Sequence, residues 1–380
     1  MSMERRRAIT RIQVEGFRSL RSVTLEPGQI TVLIGPNGAG KSNLLSFLRM
    51  VPLMHTGQLR RFVGESGGAS ALLHYGPKVT PELSFQLDFV QEPHENTYEV
   101  LLGYGAGDRL VFLDEQVSHR RQPDREIRTR RSLGAGHAES ALREAARVDG
   151  ATTERAVSWW LSGMSFFHFH DTSLTSALRT NARAEDNRTL RSDGSNLAAF
   201  LYRLKGSQDP ADRAAWRRIS TLVRRIAPSV QELDPQLSEH TDPSRPSCRL
   251  EWLDDRGEVF GAGHLSDGTL RAIALVTALA QPASTLPAFI TIDEPELGLH
   301  PKAIALFAGL VRSVSSRCQV VLATQSPALL DHFGAEDVVV VEREDSATVL
   351  RRLEPDALGA WLSEYSLSEL FDKNLLGGRP

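Results

Sequence analysis

Residues 29–42 leave this chain little freedom of fold. A β-rich run, Gln29-Ile30-Thr31-Val32-Leu33-Ile34, ends directly at Gly35-Pro36-Asn37-Gly38-Ala39-Gly40-Lys41-Ser42. Residues 42–50 then carry apolar side chains at helical spacing. The middle segment fits G-x-x-x-x-G-K-[ST], whose backbone N–H groups wrap phosphates while a lysine neutralises the outer ones. It opens onto a helix N-terminus, where free N–H groups and the macrodipole favour anions. The spacing therefore predicts an α/β fold with Lys41 on the β- and γ-phosphates and the Ser42 hydroxyl on Mg²⁺. A plain glycine turn between strand and helix is the alternative. The two glycines, the Lys-Ser pair and both flanking elements weigh against it.

Two further segments extend this reading. Phe289-Ile290-Thr291-Ile292 is strand-forming and delivers Asp293 and Glu294 to a strand end, the edge where ligands sit in open α/β sheets. Asp293 is expected to hold the Mg²⁺ shell, and Glu294 to orient or deprotonate the attacking water. On its own such a pair is usually a solvated strand end. The second segment, Leu265-Ser266-Asp267-Gly268-Thr269, precedes an apolar run with one charge over residues 270–280. Ser266 and Gly268 would sit at that helix's N-terminus, a second anion site. One protomer already has a phosphate cradle, so the second cradle is expected to receive the γ-phosphate held by a partner copy. An N-capped core helix would also produce this pattern.

Together these motifs resemble the ABC-type ATPase heads of the SMC, RecF and OLD group, in particular stand-alone bacterial ATPases without coiled coil or Toprim domain. Ile12-Gln13-Val14-Glu15-Gly16-Phe17-Arg18-Ser19-Leu20 is similar to the N-terminal strand of those heads. The resemblance implies ATP contacts from Arg18 and Ser19, and from Asn37, Gly38, Ala39, Gly40, Lys41, Ser42 and Asn43. It also implies a P-loop NTPase head with a mixed-sheet lobe, an inserted antiparallel β-subdomain and a helical signature lobe. Leu322-Ala323-Thr324-Gln325-Ser326-Pro327 resembles the switch loop, where transporter ATPases carry histidine. Gln325 can donate a hydrogen bond but cannot change charge near neutral pH. Where such heads carry a sensor glutamine after a strand, this chain has His170 and Asp171, following an alternating run over residues 164–169. A structural histidine and a His-x-His-Asp metal site, with His168 and His170 on one strand face, are the other readings.

Composition excludes other classes. The 380 residues are 41% hydrophobic and 24% charged with net charge −3, values of an ordinary globular chain. No apolar stretch is long enough to span a bilayer, and the basic start at residues 4–7 lacks a signal-like core. Cys248 and Cys318 suit a reducing cytoplasm rather than a disulfide framework. Lysine occurs only at positions 41, 78, 205, 302 and 373.

Between Ser42 and Ser266 lie more than two hundred residues, more than a transporter's helical lobe needs. Residues 82–114 alternate as antiparallel strands. Residues 116–147, with eight arginines against four acidic residues, read as a solvated loop or as a DNA-phosphate contact. Residues 196–205 and 211–226 read as helices leading to the signature. No heptads appear, which excludes long coiled-coil arms. The expected division is 1–170, nucleotide lobe with inserted strands; 171–281, helical lobe; and 282–380, the remainder of the nucleotide lobe. The last expected strand ends near residue 342, and the roughly forty residues beyond it are too few for an appended nuclease. The leading expectation is a cytoplasmic ATPase that dimerises on ATP and governs a separately encoded effector such as a nuclease, in phage defence. A RecF-like DNA repair ATPase is the alternative, and a transporter subunit ranks below both.

Overall fold

Alternating strands and continuously apolar strands separate into two large sheets. The structure, a computed structural model, describes residues 7–121, 127–238, 245–354, 359, 361 and 364–377. The basic start at residues 4–6 and positions 122–126 of the arginine-rich stretch lie outside the described residues. In chain order the strands are β1 (Arg7–Phe17), β2 (Leu20–Leu25), β3 (Ile30–Ile34), β4 (Glu82–Gln91), β5 (His94–Gly105), β6 (Arg109–Arg121), β7 (Ile127–Gly134) and β8 (Met164–Phe167). They continue with β9 (Ala182–Arg183), β10 (Glu232–Leu237), β11 (Ser247–Leu253), β12 (Val259–Gly261), β13 (Phe289–Asp293), β14 (Gln319–Thr324), β15 (Val338–Glu344) and β16 (Ala347–Arg352).

The central sheet runs β16-β15-β3-β14-β13-β8. All its strands are parallel except β16, which pairs antiparallel with β15. β3 and β14 are buried at every position, as parallel strands covered on both faces must be. Alternate residues feed two cores because successive side chains point to opposite faces. Val32, Ile34, Ile290, Ile292, Val320 and Leu322 join a core with the helices Leu197–Gly206, Asp267–Ala280 and Pro301–Val314. Leu33, Phe289, Val321 and Ala323 join the other core with the helix Lys41–His55.

The second sheet, β2-β1-β4-β5-β6-β7, is antiparallel. Its buried face contributes Phe85, Leu87, Tyr98 and Phe112 to the core that holds the helix Lys41–His55. Phe47 on that helix meets Phe17 at 5.8 Å and Phe85 at 5.4 Å, both edge-on. The helix after the phosphate loop is thus clamped between two sheets, which fixes the direction of its N-terminus.

Three segments differ from expectation. The arginine-rich stretch is not a loop over its described part: residues 116–121 finish β6, and residues 127–134 form β7 beside it. Val117 anchors the ladder in the core, while Arg130 pairs with Glu99 at 3.2 Å and Arg131 with Glu154 at 2.8 Å. A sheet with one open face needs apolar residues only at alternate positions. Second, a small sheet, β10-β11-β12 with β9 against β11, stands between the helix Pro210–Ile226 and the signature. Its strands are only two to seven residues long, so the alternation that buries Leu233, Cys248, Leu250 and Trp252 is a weak signal. Third, β16 follows β15 through Asp345 and Ser346, both with positive φ (47° and 65°). That two-residue turn folds the chain back as a hairpin, so strand structure continues to residue 352.

Candidate nucleotide site

The phosphate loop lies where β3 meets the helix Lys41–His55. Gly40, at φ 113°, makes the turn into the helix, and a Cβ there would stand 1.9 Å from Thr348 Oγ1. Only glycine meets both demands. Thr348 Oγ1 donates to the Ala39 carbonyl (2.9 Å) and lies 2.7 Å from Ser19 Oγ, which accepts from Asn43 Nδ2 at 2.7 Å. The expected residues Ser19, Ala39 and Asn43 therefore form one hydrogen-bonded group around Thr348 of β16, and Gly40 packs against it. Lys41 Nζ folds over the loop and donates to the carbonyls of Gly35 (2.5 Å) and Pro36 (3.0 Å). Burial lowers the lysine's pKa, and nearby Glu294, Asp293 and Glu296 oppose that shift. Asn37, Gly38 and Ser42 are exposed on the loop. Arg18 has φ 48°, with its N–H donating to Leu72 O and its guanidinium over the Phe17 ring.

Asp293 ends β13, and Glu294 turns off the strand in a left-handed conformation, φ 40°. Such a conformation costs a non-glycine residue about 1–3 kcal/mol and persists only where the surroundings impose it. Here the Glu294 N–H donates to Ala323 O at 2.8 Å, and Gln325 Nε2 donates to Glu294 Oε1 at 2.7 Å. Gln325 therefore orients the carboxylate at the strand edge. Thr324 Oγ1 donates to Glu296 Oε1 at 2.5 Å, and burial raises the pKa of both Glu296 and Asp293. Oxygen donors at Ser42 and Asp293 suit a hard cation such as Mg²⁺.

Phe166, His168 and His170 alternate with Phe167 and Phe169, which pack inward. The paired ladder ends at Phe167, opposite Ile292, so the histidines stand beside Asp293. His170 Nε2 lies 3.0 Å from the Asp293 carbonyl, and His168 Nδ1 lies 3.8 Å from Asp293 Oδ2. Burial, reinforced by His170, lowers the His168 pKa to about 4. Asp171 is exposed and accepts from the Ser173 N–H.

Ser266 caps the helix Asp267–Ala280 by accepting from Thr269 N at 3.2 Å, and it is exposed. A Cβ on Gly268 would stand 2.2 Å from Gly298 O, so the signature packs directly on the turn after Glu294. Arg271, the one charge of that helix after its first turn, is buried. Its Nε donates to Phe169 O (2.8 Å), its Nη2 to His170 O (2.9 Å), and its Nη1 to Leu297 O. Arg179 bridges in the same way, from Nε to Thr172 O (2.9 Å) and from Nη2 to Asp267 Oδ1 (2.8 Å).

The structure thus brings Lys41, Asp293, Glu294 and Gln325 to one sheet edge, and ties the exposed Ser266 to that edge through Gly268 and Arg271. Sequence reasoning missed Thr348, Glu296 and Arg271 as parts of this arrangement. The lone charge in an apolar helix marked Arg271. Nothing local marks Thr348.

Residues 30–331 match the family described as "AAA domain, putative AbiEii toxin, Type IV TA system". The chain is similar to the OLD nuclease of Thermus scotoductus, with 21% identity over 408 aligned positions covering 96% of this chain and 68% of that protein. Among solved structures it resembles an Smc head bound to the C-winged helix domain of ScpA, with TM-score 0.60 and 16% identity, covering 93% of this chain and 99% of that one. It also resembles an Smc head with an extended coiled coil, bound to the C-terminal domain of ScpA derived from Pyrococcus furiosus. The TM-score there is 0.59 at 13% identity, covering 94% of this chain and 99% of that one. These likenesses establish the fold as an SMC-like ABC-ATPase head, the α/β class expected from the loop.

Proposed function

We propose, from the premise that this chain belongs to the AAA domain family matched over residues 30–331, that it binds and hydrolyses ATP and closes as a homodimer controlling a separately encoded effector. The observation that carries the reading is the convergence of the Lys41 loop, Asp293, Glu294 and Gln325 at one sheet edge. Lys41 would exchange its two loop carbonyls for the β- and γ-phosphates. Glu294, already aimed by Gln325, would position the attacking water and accept its proton. Mg²⁺, held by the Ser42 hydroxyl and the Asp293 carboxylate, would supply charge neutralisation. Arg18, Ser19, Asn37, Gly38 and Asn43 would complete the nucleotide contacts, with His170 and Asp171 as the sensor between lobes. Exposed Ser266 would meet a partner's γ-phosphate.

The family description names a Type IV TA system, which favours a role alongside a second gene product, and phage defence is the setting we propose. No described helix is long and apolar enough to cross a membrane. The DNA reading draws less support, because Arg120, Arg130 and Arg131 of the arginine-rich hairpin face Glu95, Glu99 and Glu154.

Steady-state ATPase and nucleotide-binding measurements, with and without duplex DNA at several salt concentrations, test this. Lys41→Ala is expected to lose ATP binding; wild-type affinity in that variant removes the cradle assignment. Glu294→Gln is expected to bind ATP but turn over roughly 10²–10⁴-fold more slowly. Stimulation by DNA that fades with salt would move the protein to the DNA-clamping alternative.

A further inference from the structure

Two histidines, His168 and His170, stand beside the proposed hydrolytic edge and share Asp293 with it. His168, His170 and Asp293 each offer one ligand atom, and those atoms lie within 4.8 Å of one another. The two imidazole rings are 4.0 Å apart, and His168 Nδ1 and Asp293 Oδ2 are 3.8 Å apart, too far for a hydrogen bond. Two positions apart just beyond the end of β8, the histidine rings meet on one side, while Phe167 and Phe169 lock the opposite side into the core. We propose that His168, His170 and Asp293 form a site for a divalent transition-metal ion such as Zn²⁺.

Imidazole nitrogens suit zinc-class ions, whereas Mg²⁺ is held by oxygen donors. The Asp293 carbonyl can only accept, so His170 Nε2 is the donor in that contact, and in the neutral imidazole Nδ1 is the nitrogen that would bind an ion. A backbone carbonyl holding the far nitrogen is the arrangement that orients metal-bound histidines. Around one tetrahedral ion at about 2.0–2.2 Å, ligand atoms stand roughly 3.3–3.6 Å apart. Reaching that from the present spacing needs rotation of the exposed His168 ring. The side chain of His168 is 47% exposed, which opens the site to an ion from solvent. Three protein ligands leave a fourth position for water or a ligand oxygen. The inference rests on the nucleotide reading only in giving Asp293 two roles.

The test is a titration of the metal-stripped full chain with Co²⁺ in the absence of nucleotide, followed by visible absorption and by displacement with Zn²⁺. One equivalent per chain is expected, with His168→Ala and His170→Ala each weakening binding at least about tenfold at unchanged thermal melts. No saturable Co²⁺ spectrum in the wild type overturns the site, as does an unchanged spectrum in both variants. Should His170→Ala fail to fold, the exposed His168→Ala decides alone. ATP binding to the wild type is measured in parallel. Co²⁺ binding without ATP binding retains the metal site and removes the nucleotide reading, and ATP binding without Co²⁺ does the reverse.

Discussion

Arg271 shows how much one side chain can organise. Its guanidinium reaches the backbone at residues 169, 170 and 297, so the signature helix, the histidine segment and the turn after Glu294 share one buried fork. Burial depresses its pKa, and Asp267 and Glu294 oppose that shift. Removing the fork strands three carbonyls, each worth about 1–3 kcal/mol if left unpaired. Arg271→Met is therefore expected to lower unfolding free energy by about 2–5 kcal/mol in urea titration, with Arg271→Lys intermediate because an ammonium lacks the planar fork. A change within about 0.5 kcal/mol for the methionine variant would contradict this role. Glu294 is another single residue set by its neighbours. Its left-handed backbone is held by Ala323 and its carboxylate by Gln325.

At the scale of elements, the helix Lys41–His55 carries the phosphate loop at one end and a buried histidine at the other. His55 Nε2 lies 3.1 Å from Ser158 Oγ and 3.2 Å from Ser162 Oγ, on the helix Thr152–Ser162. Burial lowers its pKa below the usual 6.5, Arg143 adds to the shift, and Glu115 opposes it. The folded-state value is depressed, so the unfolded chain takes up the proton first. The stabilisation is complete above about pH 6.5 and is lost as pH falls through the folded-state value. Wild-type melting temperature should accordingly drop more steeply below pH 6.5 than that of His55→Gln. Parallel melting curves for the two would refute a contribution from His55. The β15–β16 hairpin acts over a longer reach, placing Thr348 against Ser19 and the loop.

At the scale of the whole molecule, the exposed signature cap and the acidic edge sit on one protomer, joined through Gly268 and Arg271. On the dimer reading, Ser266→Arg should abolish the ATP-dependent dimer while leaving monomer ATP binding within about threefold, since the residue is exposed and, among the described residues, its side chain bonds only Thr269 of its own helix turn. Light scattering of the Glu294→Gln background, with and without Ser266→Arg, is the measurement. A normal ATP dimer in the double variant would sink the idea of a cradle that works in trans.

Much of the fold and of the candidate site was legible in the sequence. The phosphate loop, the acidic strand end and the capped signature helix depend on contiguous residues, and their strand and helix periods are written locally. The arginine-rich hairpin and the small sheet beside the signature were not legible. In the hairpin, polar cross-strand partners near in sequence replace an apolar pattern, and in the small sheet the strands are too short for such a pattern to stand out. The chain by itself determined which chemical groups are present and which short elements carry them. Only the tertiary structure decided that Thr348 completes a loop more than three hundred residues away, that Arg271 joins its helix to two loops, and that His168 and His170 meet Asp293. Those are long-range contacts, selected by burial and hydrogen bonding in the assembled core, and no local pattern encodes them.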